Sequence, residues 1–230
     1  MIKRLLIIPA RENSKRIPLK NIKLFCGKPI ISYVINNAKK SKLFSEIHVS
    51  TESDKIKNKV EKLGLKINFK RPVALSKDNT PVIDVLKFVY KKYKKLDYVF
   101  DEVWTISPCS PLLISTDLTH AAYRFKKMKK KVLLAVTRYG APVHWAFVKD
   151  KKNNLKPLFK KKLFSQSQSF AHTYHDAGSF AAFPSYLLDM NKIYLENKFV
   201  AHELPPERAV DIDELENWNF AEFLYKAKAK

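Results

Sequence analysis

Basic side chains gather in one short stretch near the beginning of the chain. Arg11, Lys15 and Lys20 lie within ten positions of one another and directly follow the apolar run 5–8. Arginine and lysine are the usual partners of phosphate and carboxylate groups, so this cluster has the charge to hold an anion. An ordinary basic loop in solvent would have the same composition. The residues alone favour neither interpretation over the other.

The turn inside this loop is built without glycine. Loops that wrap phosphate groups generally need residues that accept a positive φ angle, and glycine is the usual choice. Here Glu12 and Asn13 stand at the turn, and asparagine is one of the few other residues that tolerate this conformation. The backbone N–H groups of the turn and the hydroxyl of Ser14 could therefore cradle phosphate oxygens. The loop has neither a Walker ending nor a dinucleotide-binding fingerprint.

Two aspartates near the end of the chain have the spacing of a cation site. In an extended segment, Asp211 and Asp213 project to the same side, because alternate residues share a face. Mg²⁺ commonly takes one or two carboxylates together with phosphate oxygens and water. Acidic residues are also favoured at helix N-termini, and Asp213 could cap a helix that begins at Glu214. From these residues alone, the helix cap is the better interpretation.

A pair of histidines gives a weaker metal signal. His172 and His175 are three positions apart, which would place them on one face of a helix. A zinc site generally needs three or four protein ligands, and no third ligand is evident in the sequence. We therefore do not expect zinc here.

The composition bounds the class of protein. A chain of 230 residues, 46% of them hydrophobic, fits a single domain over 1–230 with a sizeable core. The net charge of +22 invites a nucleic-acid interpretation. The lysines are nevertheless spread along the whole chain, in pairs such as Lys39-Lys40 and Lys91-Lys92, as on solvated helix faces. We expect no nucleic-acid partner, and a basic, non-catalytic nucleic-acid binder stays as the alternative.

The cysteines and the apolar segments indicate the compartment. Cys26 and Cys109 form neither a metal pattern nor a disulfide framework, which is typical of a reducing cytoplasm. The apolar run after Arg4 is too short for a signal peptide. No segment approaches the roughly 20 apolar residues that span a bilayer. We expect a cytoplasmic protein with no membrane partner.

Strands and helices alternate along the first part of the chain. The hydrophobic patterns predict strands over 5–8, 46–50, 65–69, 103–106 and 132–136, and helices over 29–40, 53–62, 81–93 and 115–128. Such alternation is typical of an α/β fold, and we predict a Rossmann-like, mostly parallel sheet with helices on both faces. Ligands of such folds bind at the carboxyl ends of the strands. The basic loop directly follows the first of these strands.

The pattern changes after Arg138. Residues 139–175 combine prolines, paired lysines and mixed polarity, which predicts irregular structure with hairpins. We interpret this insertion as an arm that reaches a partner subunit. The sequence then predicts helical structure from Pro184, a late strand over 199–204 and a closing helix over 213–226.

The opening loop also carries a family signature. The residues that stand out are Ile8-Pro9-Ala10-Arg11-x-x-Ser14-Lys15-Arg16-Ile17-Pro18-x-Lys20-Asn21-Ile22-Lys23. They resemble the opening signature of the acylneuraminate cytidylyltransferases. The resemblance continues in the family's order at Arg71-Pro72, Ser107-Pro108-Cys109-Ser110-Pro111-Leu112, His175-Asp176-Ala177-Gly178 and Val210-Asp211-Ile212-Asp213 with Trp218.

This resemblance implies a reaction and a set of site residues. The family joins CMP from CTP to sialic acid or a related nine-carbon acidic sugar for cell-surface glycan biosynthesis, as homodimers that use Mg²⁺ or another divalent cation. The fold implied is that of the nucleotide-diphospho-sugar transferases. By resemblance, the catalytic residues are Arg11, Lys15, Lys20 and Asp211, and the metal ligands are Asp211 and Asp213. Nucleotide contacts fall on Ala10, Arg11, Asn13, Ser14, Lys15, Asn21, Arg71, Ser76 and Ser107, and sugar contacts on Ser110, Asp176 and Gly178.

Two features point to one branch of the family. The stretch from Tyr174 to Phe180 resembles the version in cytidylyltransferases for pseudaminic acid, a bacterial relative of sialic acid, and Arg16 fits the same branch. Ala181-Ala182-Phe183 departs from the aromatic continuation of that branch. We expect a nonulosonic acid as the acceptor, with pseudaminic acid favoured. Another sugar acid or a sugar phosphate stays as the alternative.

Overall fold

The computed structural model describes residues 2–128, 131–190 and 199–228. Its strands are β1 (Arg4–Pro9), β2 (Leu24–Phe25), β3 (Lys28–Pro29), β4 (Glu46–Ser50), β5 (Glu102–Ile106), β6 (Val132–Arg138), β7 (Phe147–Lys149), β8 (Leu155–Pro157), β9 (Tyr174–Pro184) and β10 (Phe199–Glu203). Its α-helices are α1 (Ile30–Ser41), α2 (Asp54–Glu61), α3 (Val82–Lys94), α4 (Ser115–Lys127) and α5 (Leu215–Lys228). None of the described helices has the length and apolar character needed to cross a bilayer.

Six strands form one central sheet in the order β10-β6-β9-β5-β1-β4. β1 pairs in parallel with β4 and β5, and β10 pairs in parallel with β6. β9 runs antiparallel between β5 and β6. The sheet is therefore mostly parallel, as the strand–helix alternation predicted.

Both faces of this sheet are covered by helices. On one face, Leu6 and Ile8 of β1 pack with residues of α1, α2 and α4. On the other face, Leu5 and Ile7 pack with residues of α3. All four side chains are 0% exposed, and burying each one stabilises the fold by about 1.5–3 kcal/mol relative to exposure. This two-sided burial explains why the strand reads as a continuous apolar run.

A third apolar cluster attaches the closing helix to the opening loop. The aromatic ring of Phe25 lies 5.5 Å from that of Tyr33 and 5.6 Å from that of Trp218, in edge-to-face geometry. Ile17 and Ile212 are buried in the same cluster. Because Trp218 lies on α5, this packing brings the segment before α5 against the loop after β1.

The predicted strand over 65–69 is wrong, because this segment is irregular in the structure. Ile67 packs in the layer of α1 and α2, whereas Phe69 packs in the layer of α3. The Phe69 ring stacks on His48 of β4, with ring centroids 4.4 Å apart. The chain thus wraps around the β4 edge of the sheet instead of adding a strand to it. The helical structure predicted from Pro184 is a short 3-10 turn over Ser185–Asp189.

The insertion after β6 has the irregular, hairpin-containing structure that the sequence predicted. β7 and β8 pair as an antiparallel hairpin, and short 3-10 turns occupy much of the remainder. Tyr174 and His175 already pair with β6 as part of β9, so the irregular part ends at residue 173. Several large apolar side chains of the insertion are exposed, namely Trp145, Phe147, Val148, Leu155, Leu158, Phe159 and Phe164.

Candidate functional site

A cleft of about 820 Å³ opens at the carboxyl ends of β1 and β5. The loop after β1, the loop after β5, the start of α3 and the middle of β9 form its walls. Many of the predicted site residues line it, namely Arg11, Ser14, Lys15, Lys20, Asn21, Arg71, Ser107, Asp176, Gly178 and Asp213. The fold therefore brings residues from the first and last parts of the sequence into one site.

One carboxylate holds two cations of the opening loop. Oδ1 of Asp78 accepts a hydrogen bond from Arg11, and its Oδ2 lies 2.6 Å from Nζ of Lys15. The hydrogen bonds from Lys15 and Arg11 keep the pKa of Asp78 below its ordinary value. Asp78 belongs to the segment between β4 and α3 and was not among the predicted residues. It occupies the side chains that would otherwise face an anion.

The other cations of the loop reach Asp213. Nζ of Lys20 lies 3.1 Å from Oδ1 of Asp213 and donates to the carbonyl of Ile212 at 2.7 Å. Arg16 pairs with Oδ2 of Asp213 at 2.8 Å. Desolvation acts to raise the pKa of Asp213, but the hydrogen bond and charge of Lys20 and the charge of Arg16 outweigh it, and this pKa is lowered.

Asp213 does not have the capping role that its position also allowed. Among the described residues, its carboxylate pairs with Lys20 and Arg16, and the side chain of Asn217 accepts from the backbone N–H of Glu214 at 3.1 Å. α5 itself begins at Leu215. The carboxylate of Asp213 is therefore directed to the cleft.

Asp211 lies against a glycine that cannot be replaced without strain. Gly178 has a φ angle of +62°, and a Cβ atom there would stand 3.2 Å from the Asp211 carboxylate. The N–H of Gly178 donates to Oδ1 of Asp176 at 2.8 Å. Burial raises the pKa of Asp211, and the charges of Asp213 and Asp176 raise it further. The two-residue spacing thus produces a crowded group of carboxylates.

These carboxylates suit a divalent cation that is held jointly by the protein and by a phosphate-bearing ligand. In the described part of the chain, no group of three or more His, Cys, Asp or Glu side chains is arranged to hold a metal by itself. Asp211 and Asp213 supply hard oxygen donors, and Mg²⁺ commonly completes its shell with phosphate oxygens and water. The mutual repulsion that raises the pKa of Asp211 is what a bound cation would relieve. The donor set therefore fits Mg²⁺ only together with a phosphate-bearing ligand.

A second carboxylate, Glu52, joins three segments around the cleft. Its Oε2 accepts from Arg71 and from Ser76, each at 2.9 Å, and its Oε1 accepts from the backbone N–H of Glu12 at 2.8 Å. Desolvation opposes ionisation of Glu52, but these hydrogen bonds lower its pKa overall. Sequence reasoning missed Glu52, although its position directly after β4, at the carboxyl edge of the sheet, was a usable signal.

Some predicted residues lie behind the cleft wall. Ala10 is fully buried, and its N–H donates to the carbonyl of Ser50 at 2.9 Å. Asn13 and Ser76 line an adjoining hollow of about 630 Å³ on the other side of the loop. Ser110 is 6% exposed and is not part of the cleft lining. These residues therefore do not line the cleft.

The expected conformation of the loop turn is corrected by the structure. The non-glycine residue with positive φ in this loop is Leu19, at 52°, and Asn13 does not share that conformation. The loop is instead held from within, since Nδ2 of Asn21 donates to the carbonyl of Arg11 at 2.8 Å. Cys109 in turn donates to Oδ1 of Asn21 at 3.3 Å, and burial raises the pKa of this thiol to about 12.

One wall of the cleft is apolar. It is lined on one side by the start of α3 and on the other by β6 and β9, with Val82, Ile83, Val85, Leu86, Leu134, Phe180, Ala181 and Phe183. The cleft therefore has a charged half beside the opening loop and an apolar half beside α3. This contrast favours a ligand with one anionic part and one less polar part.

The histidine pair does not form part of this site. His175 lies in the strand β9 and His172 precedes it, so the helical spacing that would align them is absent. Both side chains are exposed.

Comparison with known proteins identifies the family. The family profile described as cytidylyltransferase matches residues 5–228. The chain belongs to the cytidylyltransferase family. It is 34% identical over 231 residues to the pseudaminic acid cytidylyltransferase of Campylobacter jejuni subsp. jejuni serotype O:2, covering 98% of this chain and 97% of that protein. The resemblance seen in the opening signature is thereby confirmed.

Two further comparisons extend this cytidylyltransferase assignment. The chain is 28% identical over 229 residues to the CMP-N,N'-diacetyllegionaminic acid synthase of Legionella pneumophila subsp. pneumophila, covering 96% of this chain and 95% of that protein. Its fold is similar to that of CMP:2-keto-3-deoxy-manno-octonic acid synthetase in complex with CTP, with a TM-score of 0.73 and 16% identity over 98% of this chain and 99% of that chain. The structural likeness concerns the fold, and it confirms the predicted α/β class.

Proposed function

We propose that this cytidylyltransferase transfers CMP from CTP to a nonulosonic acid, an acidic nine-carbon sugar, and releases pyrophosphate. The observation that carries the proposal is that the cations of the opening loop and Asp213 line one cleft, where Lys20 contacts Asp213 at 3.1 Å, and that the carboxylate of Asp211 packs against Gly178 of the cleft wall. The cations suit a triphosphate, and the carboxylates suit the metal ion that accompanies it. The relatives named for pseudaminic and legionaminic acid support the choice of acceptor.

The reaction needs positioning and charge compensation more than covalent help from the protein. The anomeric hydroxyl oxygen of the acceptor forms a bond to the α-phosphorus of CTP. The bond from that phosphorus to the oxygen bridging to the β-phosphate breaks, and its electron pair leaves with pyrophosphate. Arg11, Lys15 and Lys20 offset the charge that develops on the leaving group. Asp211, which lies beside Gly178 and Asp176, is the proposed acceptor of the hydroxyl proton.

Asp211 and Asp213 are the residues that would hold a divalent cation such as Mg²⁺. When bound, this cation would neutralise phosphate charge and polarise the phosphate oxygens. Lys20 and Arg16, which contact Asp213, would then be free to turn towards the triphosphate. Removal of divalent cations with a chelator is expected to abolish turnover, and added Mg²⁺ is expected to restore it.

The apolar half of the cleft supports pseudaminic acid over sialic acid as the acceptor. Leu134, Phe183 and the first turn of α3 line this half. A sugar whose tail ends in a methyl group packs against such a wall at little cost in desolvation free energy. A hydroxylated tail would instead leave its hydroxyl groups without hydrogen-bond partners. Pseudaminic acid is of the first kind and sialic acid of the second.

We also propose that the insertion, residues 139–173, forms a homodimer interface in the cytoplasm. Its exposed apolar side chains include Phe164, which is 95% exposed, and Leu155, which is 61% exposed. Several exposed apolar side chains within one short segment support a protein–protein contact there. Both cysteines are free, which supports a reducing compartment.

A pyrophosphate-release assay tests the proposed reaction and its acceptor. The purified protein is incubated with CTP, Mg²⁺ and either pseudaminic, legionaminic or sialic acid, or an eight-carbon sugar acid. Release is expected to be fastest with pseudaminic acid and to fall by at least tenfold when UTP replaces CTP. Asp211→Asn is expected to lose at least a hundredfold in turnover with unchanged circular dichroism. Full activity of that variant would contradict the assignment of Asp211.

A further inference from the structure

We propose that Glu52 is a positioning residue for CTP, acting through Arg71 and through the opening loop. This inference rests on the proposed function, because it assumes that the cleft binds CTP. Glu52 lies outside every motif that identified the family, and it is placed by β4, the edge strand of the sheet. Its contacts join the segment that would face the nucleotide to the loop that would hold the triphosphate.

The geometry around Glu52 is that of a clamp with two sides. Oε2 faces the segment after β4, where it accepts from the guanidinium of Arg71 and the hydroxyl of Ser76 at 2.9 Å each. Oε1 faces the opening loop, where it accepts from the N–H of Glu12 at 2.8 Å. A carboxylate can accept on both oxygens at once. An amide at this position offers one acceptor, so it can satisfy only one side of the clamp.

Arg71 is a side chain whose orientation depends on this clamp. Only 4% of it is exposed, yet it lines the cleft, and it pairs with Glu52 at 2.9 Å. Its Nε is buried and has no hydrogen-bond partner among the described residues. A buried arginine without its carboxylate partner would carry an uncompensated charge and would lose its fixed orientation. Glu52 thus compensates the charge of Arg71 and leaves part of its guanidinium group available to a ligand.

Glu52 also fixes the position of Arg71 relative to the opening loop. Glu52 accepts a hydrogen bond from the N–H of Glu12, and Glu12 directly follows Arg11, the first cation of that loop. Glu12 is fixed in turn by Ser53, the N-cap residue of α2. A displacement of Glu52 would therefore move Arg71 and the opening loop relative to each other.

A matched control for Glu52 exists at the opposite end of the sheet. Glu102, 8% exposed, pairs with Arg4 at 2.6 Å and accepts from Trp104 at 2.9 Å. Like Glu52, it has an arginine partner and a second donor, but it is buried at the amino end of β5, away from the cleft. Glu102→Gln reports the cost of disturbing a buried ion pair without touching CTP binding.

The test measures the dissociation constant of CTP by calorimetry in the presence of Mg²⁺, together with KM for CTP and for the acceptor. Glu52→Gln is expected to weaken CTP binding by about tenfold to a hundredfold, the range for loss of a charge-assisted hydrogen bond. KM for the acceptor is expected to stay within about twofold. Glu102→Gln is expected to lower the melting temperature about as much as Glu52→Gln does, and to leave CTP binding unchanged. If Glu52→Gln is too unstable to purify, Glu52→Asp, which keeps the charge, takes its place with the same expected direction.

A double-variant cycle separates positioning from general destabilisation. Because Glu52 acts partly through Arg71, the loss of CTP binding in the combined Glu52→Gln and Arg71→Ala variant is expected to be smaller than the sum of the losses in the two single variants. Unchanged CTP binding in Glu52→Gln, or fully additive losses in the double variant, would overturn the proposal. Because binding is measured directly, wild-type protein that binds CTP without transferring CMP would overturn the proposed reaction and leave the role of Glu52 intact.

Discussion

At the scale of single residues, the charged half of the cleft is balanced by internal ion pairs. Asp78 contacts Arg11 and Lys15, and Asp213 contacts Lys20 and Arg16. A triphosphate that enters the cleft must exchange these carboxylates for its own oxygens. The cations that we propose bind CTP are therefore partly occupied before it arrives, and Asp78 is the competitor that carries no proposed role in the reaction.

Removal of the Asp78 charge is expected to strengthen CTP binding. Asp78→Asn releases Arg11 and Lys15, and KM for CTP is expected to fall about twofold to fivefold, a small effect because exposed ion pairs are weak. Steady-state kinetics at low ionic strength measure it, with Asp150→Asn, in the exposed turn between β7 and β8, as the control. A rise in KM for CTP would show instead that Asp78 helps to arrange the cations for binding.

At the scale of elements, the sequence was most informative where burial or spacing is regular. β4 was predicted at the observed bounds, and the residues of β1, α2 and α4 were predicted within one or two positions at each end. The strand over 65–69 failed because alternating apolar residues also suit a segment whose side chains enter two different layers. Asp78 was missed because its role depends on contacts between segments distant in sequence, which no local pattern encodes. Glu52 has distant partners as well, although its position just after β4 was a usable signal.

A buried histidine at the β4 edge of the sheet predicts that the stability of the fold depends on pH. His48 on β4 is 0% exposed, stacks on Phe69 and lies 3.3 Å from the hydroxyl of Tyr93. Burial lowers its pKa from 6.5 to about 4. The unfolded chain therefore binds a proton between these values that the folded chain does not. The stability that neutral His48 contributes is fully present above about pH 6.5 and is lost as the pH falls towards 4.

Urea unfolding between pH 7 and pH 4 measures this contribution. The wild-type protein is expected to lose on the order of 3 kcal/mol more than His48→Phe across this range, at about 1.4 kcal/mol per pH unit. His172→Gln, at an exposed position, serves as the control and is expected to follow the wild type. Parallel pH profiles for the wild type and His48→Phe would contradict the attribution to His48.

At the scale of the whole molecule, the insertion after β6 is the part that belongs neither to the central sheet nor to the helices that cover it. Several of its large apolar side chains are exposed, and a dimer interface would bury them. Light scattering after size-exclusion chromatography is expected to give twice the 26.7 kDa mass of the chain. The Leu158→Asp, Phe159→Asp double variant is expected to give one chain mass. Tyr123→Asp, on α4, is expected to stay dimeric, and a wild-type monomer would contradict the proposed interface.

The charge of the whole molecule also fits anionic substrates without requiring a nucleic acid. The net charge of +22 is spread along the chain, and it raises the capture rate of both CTP and an acidic sugar. A nucleic-acid binder would instead show tight duplex or RNA binding that falls steeply with salt. We expect only weak, non-specific binding at about 150 mM salt in a filter-binding assay, because the lysines are spread along the sequence instead of concentrated in one stretch.

The most direct test of the central claim follows the α-phosphate of CTP. With CTP labelled at the α-phosphorus, Mg²⁺ and pseudaminic acid, the label is expected to appear in a CMP–sugar conjugate in equal amount to the pyrophosphate released. Label that stays in CTP, or that appears only as free CMP, with all of the nine-carbon acids would contradict transfer to a nonulosonic acid in this cleft.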